Sequence, residues 1–193
     1  LIVAIGTLIG CLVARRNTVQ TSLLDATLMV PYVMPGIVVG VAFIAAFNTP
    51  PLVMTGTAVI IILSIFIRRL PYAVRSSAAA LRQVGPSMEE AAISLGYSPV
   101  QAFLRVTIPL IAPGIIAGAL LCLILSWNDF LYPAFLTRSA TQPLSVALLS
   151  AYGTRDITWG TMGALAHVST LPIIVITFLL NRYFVRGLTA GSH

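Results

Sequence analysis

The side chains that could do acid, base, nucleophilic or ligand chemistry are few in this chain and do not gather. Five acids and two histidines are spread over 193 residues, and all eleven basic residues are arginine. Without lysine there is no phosphate loop of the G-x-x-x-x-G-K type, and the scattered acids form no paired-carboxylate site. Cys11 and Cys122 lie inside apolar runs without ligand spacing, as small buried apolar residues do. No catalytic, cofactor-binding or metal-ligating residue is expected. Any energy the protein uses must come from a partner.

One stretch carries ordered polar chemistry of another kind, capping and docking. Residues 87–109, Ser-Met-Glu-Glu-Ala-Ala-Ile-Ser-Leu-Gly-Tyr-Ser-Pro-Val-Gln-Ala-Phe-Leu-Arg-Val-Thr-Ile-Pro, form a polar island between hydrophobic spans. Ser87 and Glu90 have the S-x-x-E spacing of a capping box. Gly96 is expected to be a left-handed helix stop. Ser98, Pro99 and Gln101 open a second helix, with Pro at its first position and a second capping box. Met88, Ala91, Ala92 and Leu95 fall at i, i+3, i+4 and i+7, one apolar stripe with a slim centre. Ile93 lies off that stripe. These residues alone fit a loop of two well-made helices as well as they fit a docking element.

The elements around the island must sit in a membrane. The chain is 58% hydrophobic and 8% charged, with mean hydropathy +0.99, whereas a soluble domain carries roughly 25% charged residues. A spanning helix needs about 20 apolar residues, and five candidates appear, at 1–14, 28–47, 54–67, 106–125 and 161–180. The stretch 137–159 is mixed and is expected to be an external loop with a short helix near 144–152. The chain opens without Met inside an apolar run, so a preceding helix is expected; that run lacks the flanks of a cleaved leader. Gly191-Ser192-His193 is either native or an appended tail.

A net charge of +6 would suit nucleic acid if it were clustered, but the arginines stand at the ends of apolar runs, where positive charge sets topology. Five spans put Arg15, Arg16, Arg68, Arg69, Arg75, Arg82, Arg105, Arg182 and Arg186 on one side, and only Arg138 and Arg155 on the other. The expectation is a multi-pass cell-membrane protein with 68–105 and the C-terminus in the cytoplasm.

Within the spans, Pro31 and Pro35-Gly36 should kink or break the second helix. Such a break either lines a pathway or is a proline kink held by neighbours. Gly36-x-x-x-Gly40 and Gly114-x-x-x-Gly118 have close-crossing spacing. Trp127-Asn128-Asp129 reads as an interfacial anchor with a solvated acid. His167, at membrane depth, is either functional or a neutral histidine bonded to a neighbouring helix. Pro35, Gly36, Asn128 and His167 are the pathway candidates.

The island resembles the EAA loop of permease subunits of ATP-binding-cassette importers. Glu90-Ala91-Ala92 is followed by Gly96 at the family spacing, and Val106-Thr107-Ile108-Pro109 closes the pattern with two conservative changes. The resemblance covers nearly the whole chain. It implies an all-α type I importer permease, one domain over 1–193 with the coupling loop 87–109 inside it and about five spans, the first truncated. It implies cytoplasmic ATP-binding subunits, a second permease subunit and an extracytoplasmic solute-binding protein as partners, besides membrane lipid and with no nucleic acid. Glu89, Glu90, Ala91, Ala92, Gly96 and Pro109 would couple to the ATPase. Glu90 would pair with the ATPase cleft, the alanines would permit close docking, and Gly96 would make the turn.

Two substrate messages coexist. Arg68-Arg69-Leu70-Pro71-Tyr72 and Ala79-Ala80-Leu81-Arg82-Gln83 resemble permeases for ferric iron, phosphonates or polyamines. Trp127-Asn128-Asp129-Phe130-Leu131, Gln142-Pro143-Leu144 and the stretch 182–191 resemble carbohydrate permeases, and carbohydrate is the favoured reading, aided by spans that carry almost no charge. An ion-coupled secondary transporter is the alternative from another class; it needs midplane acids, which are scarce here.

Overall fold

The computed structural model describes residues 1–16, 18–150 and 158–189. Among these every regular element is helical: α1 (Ile2–Arg15), α2 (Val19–Val33), α3 (Gly36–Phe47), α4 (Ala58–Gln83), α5 (Ser87–Ser94), α6 (Pro99–Ala102), a π-helical segment (Phe103–Thr107), α7 (Ile108–Trp127), α8 (Leu131–Leu136), α9 (Leu144–Ser150) and α10 (Trp159–Thr189). This is the solution an apolar chain has in lipid, where backbone groups must be satisfied within their own segment. Among the described residues two helices are long and apolar enough to cross a membrane, Pro99–Trp127 with 29 residues and Trp159–Asn181 with 23, or three spans if the bent pair 19–47 is counted as one. Of the mixed stretch, 144–150 is helical as expected, while Gly153, Arg155 and Asp156 lie outside the described residues, as does the tail from 190.

The expected span 28–47 breaks at Pro35, as its prolines predict, but its first half begins earlier, at Val19, and holds Pro31 without a break. α2 ends at Val33, α3 starts after Pro35, and the chain turns by 104° between them. Pro35 has φ −55 and ψ 138, an extended residue with no amide to donate, so the ladder cannot continue. The span expected at 54–67 also differs. α4 starts at Ala58 and runs unbroken for 26 residues to Gln83, with Pro71 inside. Arg68 and Arg69 therefore lie in mid-helix rather than in a loop.

By packing, the described chain forms two compact units. One holds Leu1–Met29, Leu70–Cys122 and the end of α10 from Leu180; the other holds Val30–Arg69 and Leu123–Leu179. In the first, the far half of α4 is gripped by glycines from two helices. A methyl at Gly114 would lie 2.5 Å from the Ala80 Cβ, and one at Gly118 would lie 2.6 Å from the Ser76 Cβ. The pairing 114 with 80 and 118 with 76 sets α7 antiparallel to α4. Gly6 faces Ala73 and Gly10 faces Ser77, so α1 runs parallel to α4, and Thr7 hydrogen-bonds Ser77 at 3.1 Å. Gly6-x-x-x-Gly10 thus works as a close-crossing motif, although nothing in its sequence sets it apart. Arg75 binds Asp25 at 2.9 Å.

In the second unit Val39, Phe43, Ile60, Ile61, Tyr132 and Leu136 form the core, joining α3, α4 and α8. Gly36 and Gly40 face Leu131 and Phe135 of α8.

The crossings separate two kinds of tightness. Gly114→Ala forces a side-chain clash and should cost about 1–3 kcal/mol. Adding Ala80→Gly should recover most of it, because the obstruction is one methyl. Gly10→Ala meets the Val74 carbonyl oxygen at 2.6 Å, so no partner substitution should relieve it. Thermal unfolding of the purified variants in detergent checks all three.

Candidate functional site

The polar island folds as two short helices around one turn. α5 ends in a full set of C-terminal bonds: the Gly96 amide donates to the Ile93 carbonyl at 2.9 Å and the Tyr97 amide to the Ala92 carbonyl at 3.2 Å. This pattern needs a left-handed residue after the cap, and Gly96 has φ +97. The second capping box forms as expected, with Ser98 and Gln101 bonded reciprocally. The first does not. Pro86 is helical and caps α5 without a side-chain bond; its carbonyl accepts from the Glu90 amide at 3.0 Å. Ser87 is therefore already inside the first turn and has no amide to cap.

The two adjacent glutamates face opposite ways. Glu90 is exposed. Glu89 turns inward: the two terminal nitrogens of Arg15, at the end of α1, donate to its two oxygens, one of them at 3.0 Å. Thr107, buried in the π segment, donates to the same carboxylate at 2.7 Å. The Arg15 guanidinium also lies 5.1 Å over the Phe103 ring. Hydrogen bonding from Arg15 holds the Glu89 carboxyl below the usual carboxylate range, with Thr107 adding to the effect against desolvation. The bonds are thus intact at neutral pH and lost only when acid protonates Glu89 below that range.

The expected apolar stripe is split. Only Ala92 is buried, whereas Ala91 is exposed and Met88 and Leu95 are 52% and 82% exposed. Pro109 is exposed as well. A cavity of about 510 Å³ lies between α5 and the ends of α1 and α4, lined by Arg15, Arg82, Glu89, Glu90 and Ile93 among others.

The pathway candidates are not brought together. Pro35 is exposed at the start of α3, and Gly36 is buried, with Leu131 and the Arg68 guanidinium where a side chain would go. Asn128 is exposed and donates back to the Ile124 carbonyl at 2.9 Å. His167 is exposed and bonds within its own helix to the Gly163 carbonyl at 2.7 Å.

What does gather is a charged cluster that sequence reasoning missed. Arg69 donates to the Asp129 carboxylate at 2.7 Å and to the Leu125 carbonyl at 2.6 Å, with the pair only 7% and 8% exposed. Arg68 hydrogen-bonds the Tyr132 hydroxyl and lies 4.9 Å over its ring. Asp129 is therefore not a solvated anchor, and the helix core is not free of charge. The only sequence signal was the hydrophobic run resuming after Arg69.

Residues 6–190 match the family of the binding-protein-dependent transport system inner membrane component. The chain belongs to that family. Among relatives of this inner membrane component, the probable ABC transporter permease protein y4oR of Sinorhizobium fredii is 32% identical over 86% of this chain and 59% of its own length. The trehalose transport system permease protein SugB of Mycobacterium tuberculosis is 36% identical over 64% of this chain and 46% of its own. The ferric transport system permease protein FbpB of Actinobacillus pleuropneumoniae is 29% identical over 91% of this chain and 25% of its own. The chain thus spans about half the length of curated relatives such as the first two. Its fold is that of a chain in the inward-facing MetNI methionine ABC transporter, with TM-score 0.73 at 19% identity over 95% of this chain and 86% of that one.

Asp129→Ala leaves a buried guanidinium without its counter-charge and should cost about 3–5 kcal/mol, whereas the double change Arg69→Met with Asp129→Leu should recover most of it. Thermal unfolding in detergent decides; equal losses in the single and double variants would mean that the ion pair is not what this region rests on.

Proposed function

We propose that this inner membrane component is the solute-conducting subunit of an ATP-driven type I ABC importer, with α5 as its docking element for a cytoplasmic ATPase. The observation that carries the reading is α5 itself: a helix with the EAA spacing, a left-handed stop at Gly96, and Glu90, Ala91, Met88 and Leu95 presented outward. On this reading ATP is hydrolysed by the partner, a second permease subunit completes the path, and an extracytoplasmic binding protein delivers solute. Arg82 and Arg105 flank α5 in the chain and Arg15 is ion-paired to it, which supports a cytoplasmic location for it.

For the solute we propose a carbohydrate, supported by the likeness to SugB and by the sugar-permease wording at 127–131 and 142–144. The charge-free path no longer supports it, because Arg68 and Arg69 stand in mid-helix. A second reading is a ferric, phosphonate or polyamine solute, of which the ferric one is supported by the likeness to FbpB; Arg68 and Arg69, committed to Tyr132 and Asp129, do not choose among them.

Proteoliposomes holding the chain, its partner permease and the ATPase should take up solute from the binding protein only with ATP. Uptake without ATP, driven by an ion gradient, would sink the importer reading in favour of a secondary transporter. Glu90→Lys should insert normally yet lose solute-stimulated ATPase by about tenfold or more, in the usual range of coupling between sites. A cysteine at Ser94 should be labelled only from the cytoplasmic side and one at Ser139 only from outside. Thermal stabilisation of the cognate binding protein by a sugar, against a panel of phosphonates, polyamines and ferric chelates, decides the solute.

A further inference from the structure

We propose that Arg15 and Glu89 form a clasp through which displacement of α5 is passed to α1, so that Glu89 is a positioning residue turned into its own chain rather than a contact to the ATPase. This rests on the importer reading of α5. Little else holds that helix. Of its eight residues only Ala92 is buried. Among the described residues, the side-chain hydrogen bonds that leave α5 all end on Glu89. The cavity beside it separates α5 from dense packing on the ends of α1 and α4. Force applied to α5 therefore leaves through its two backbone ends, through its packing on α6 and the π segment, and, among side-chain bonds, through the carboxylate of Glu89.

The carboxylate exit is stiff. An Arg–carboxylate fork fixes angle as well as distance, and here the fork is further held by the Phe103 ring on one partner and Thr107 on the other. The glutamate arm is short, so it has little slack. At the far end, α1 is seated on α4 by Gly6 and Gly10 and by the Thr7–Ser77 bond. A shift of α5 taken up by Arg15 thus reaches a helix that cannot slide independently of α4. Glu90, one residue on and outward, is left free for the partner. The two neighbouring acids divide the work, one gripping inside and one facing out.

The test uses the assembled transporter and, separately, this chain in nanodiscs. With Arg15→Ala the ATPase should still copurify, while solute-stimulated turnover and uptake fall about tenfold, the scale of an inter-site coupling. In the chain alone, the amides of 88–96 should exchange faster. Arg15→Lys, which keeps the charge and loses the fork, should fall between. Arg15→Glu and Glu89→Arg should each be defective, and together should restore both amide protection and much of the stimulation. The proposal is overturned if Arg15→Ala keeps wild-type stimulation and protection. It is also overturned if Arg15→Ala releases the ATPase, or if the charge-reversed pair regains protection without regaining stimulation. A wild-type assembly with no solute-stimulated turnover would instead sink the importer reading, leaving the exchange measurement to decide the clasp.

Discussion

A helix that carries arginines at 68, 69, 75 and 82 can run through an apolar protein only if each finds an acceptor or an exit to water. That requirement organises much of this structure. Arg69 takes the carboxylate of Asp129 and a backbone carbonyl at the end of α7. Arg68 takes the face and hydroxyl of Tyr132, which is itself fully buried in the core of its unit. Arg75 reaches Asp25 at the surface. The cost of desolvating a guanidinium is large and is offset only by such pairing. Three of the chain's four described acids are thus committed to arginines within the protein, counting Glu89 with Arg15.

The same helix is also the place where side chains are smallest. Ala73, Ser76, Ser77 and Ala80 meet glycines on α1 and α7. Without a hydrophobic drive between helices in lipid, close backbone approach supplies dispersion contact and room for bonds such as Thr7–Ser77. α4 is therefore charged where it meets α7 and α8 in one unit, and slim where it meets α1 and α7 in the other.

Much of this was legible in the sequence, and the failures have a common cause. Helix type, the break at Pro35, the stop at Gly96 and the box at Ser98 depend on residues within a few positions of each other. Local patterns reveal them. The partners of Arg68 and Arg69 stand about sixty residues away, so a window that treats arginine as the end of a span stops α4 sixteen residues early. Ser87 was misjudged because Pro86 can itself adopt the helical conformation and lend its carbonyl. The inward turn of Glu89 depends on Arg15, 74 residues earlier. No spacing rule separates it from Glu90.

The turn after α5 has a further consequence. A side-chain carbon placed on Gly96 would touch nothing within 4 Å, yet the backbone there has φ +97. The position thus disfavours other L-residues by chirality and not by size. A D-alanine installed there by semisynthesis would find the same backbone in its own favoured region. It would also narrow the conformations open to the unfolded chain. The handedness of one residue, rather than its smallness, is what this corner of the molecule asks for.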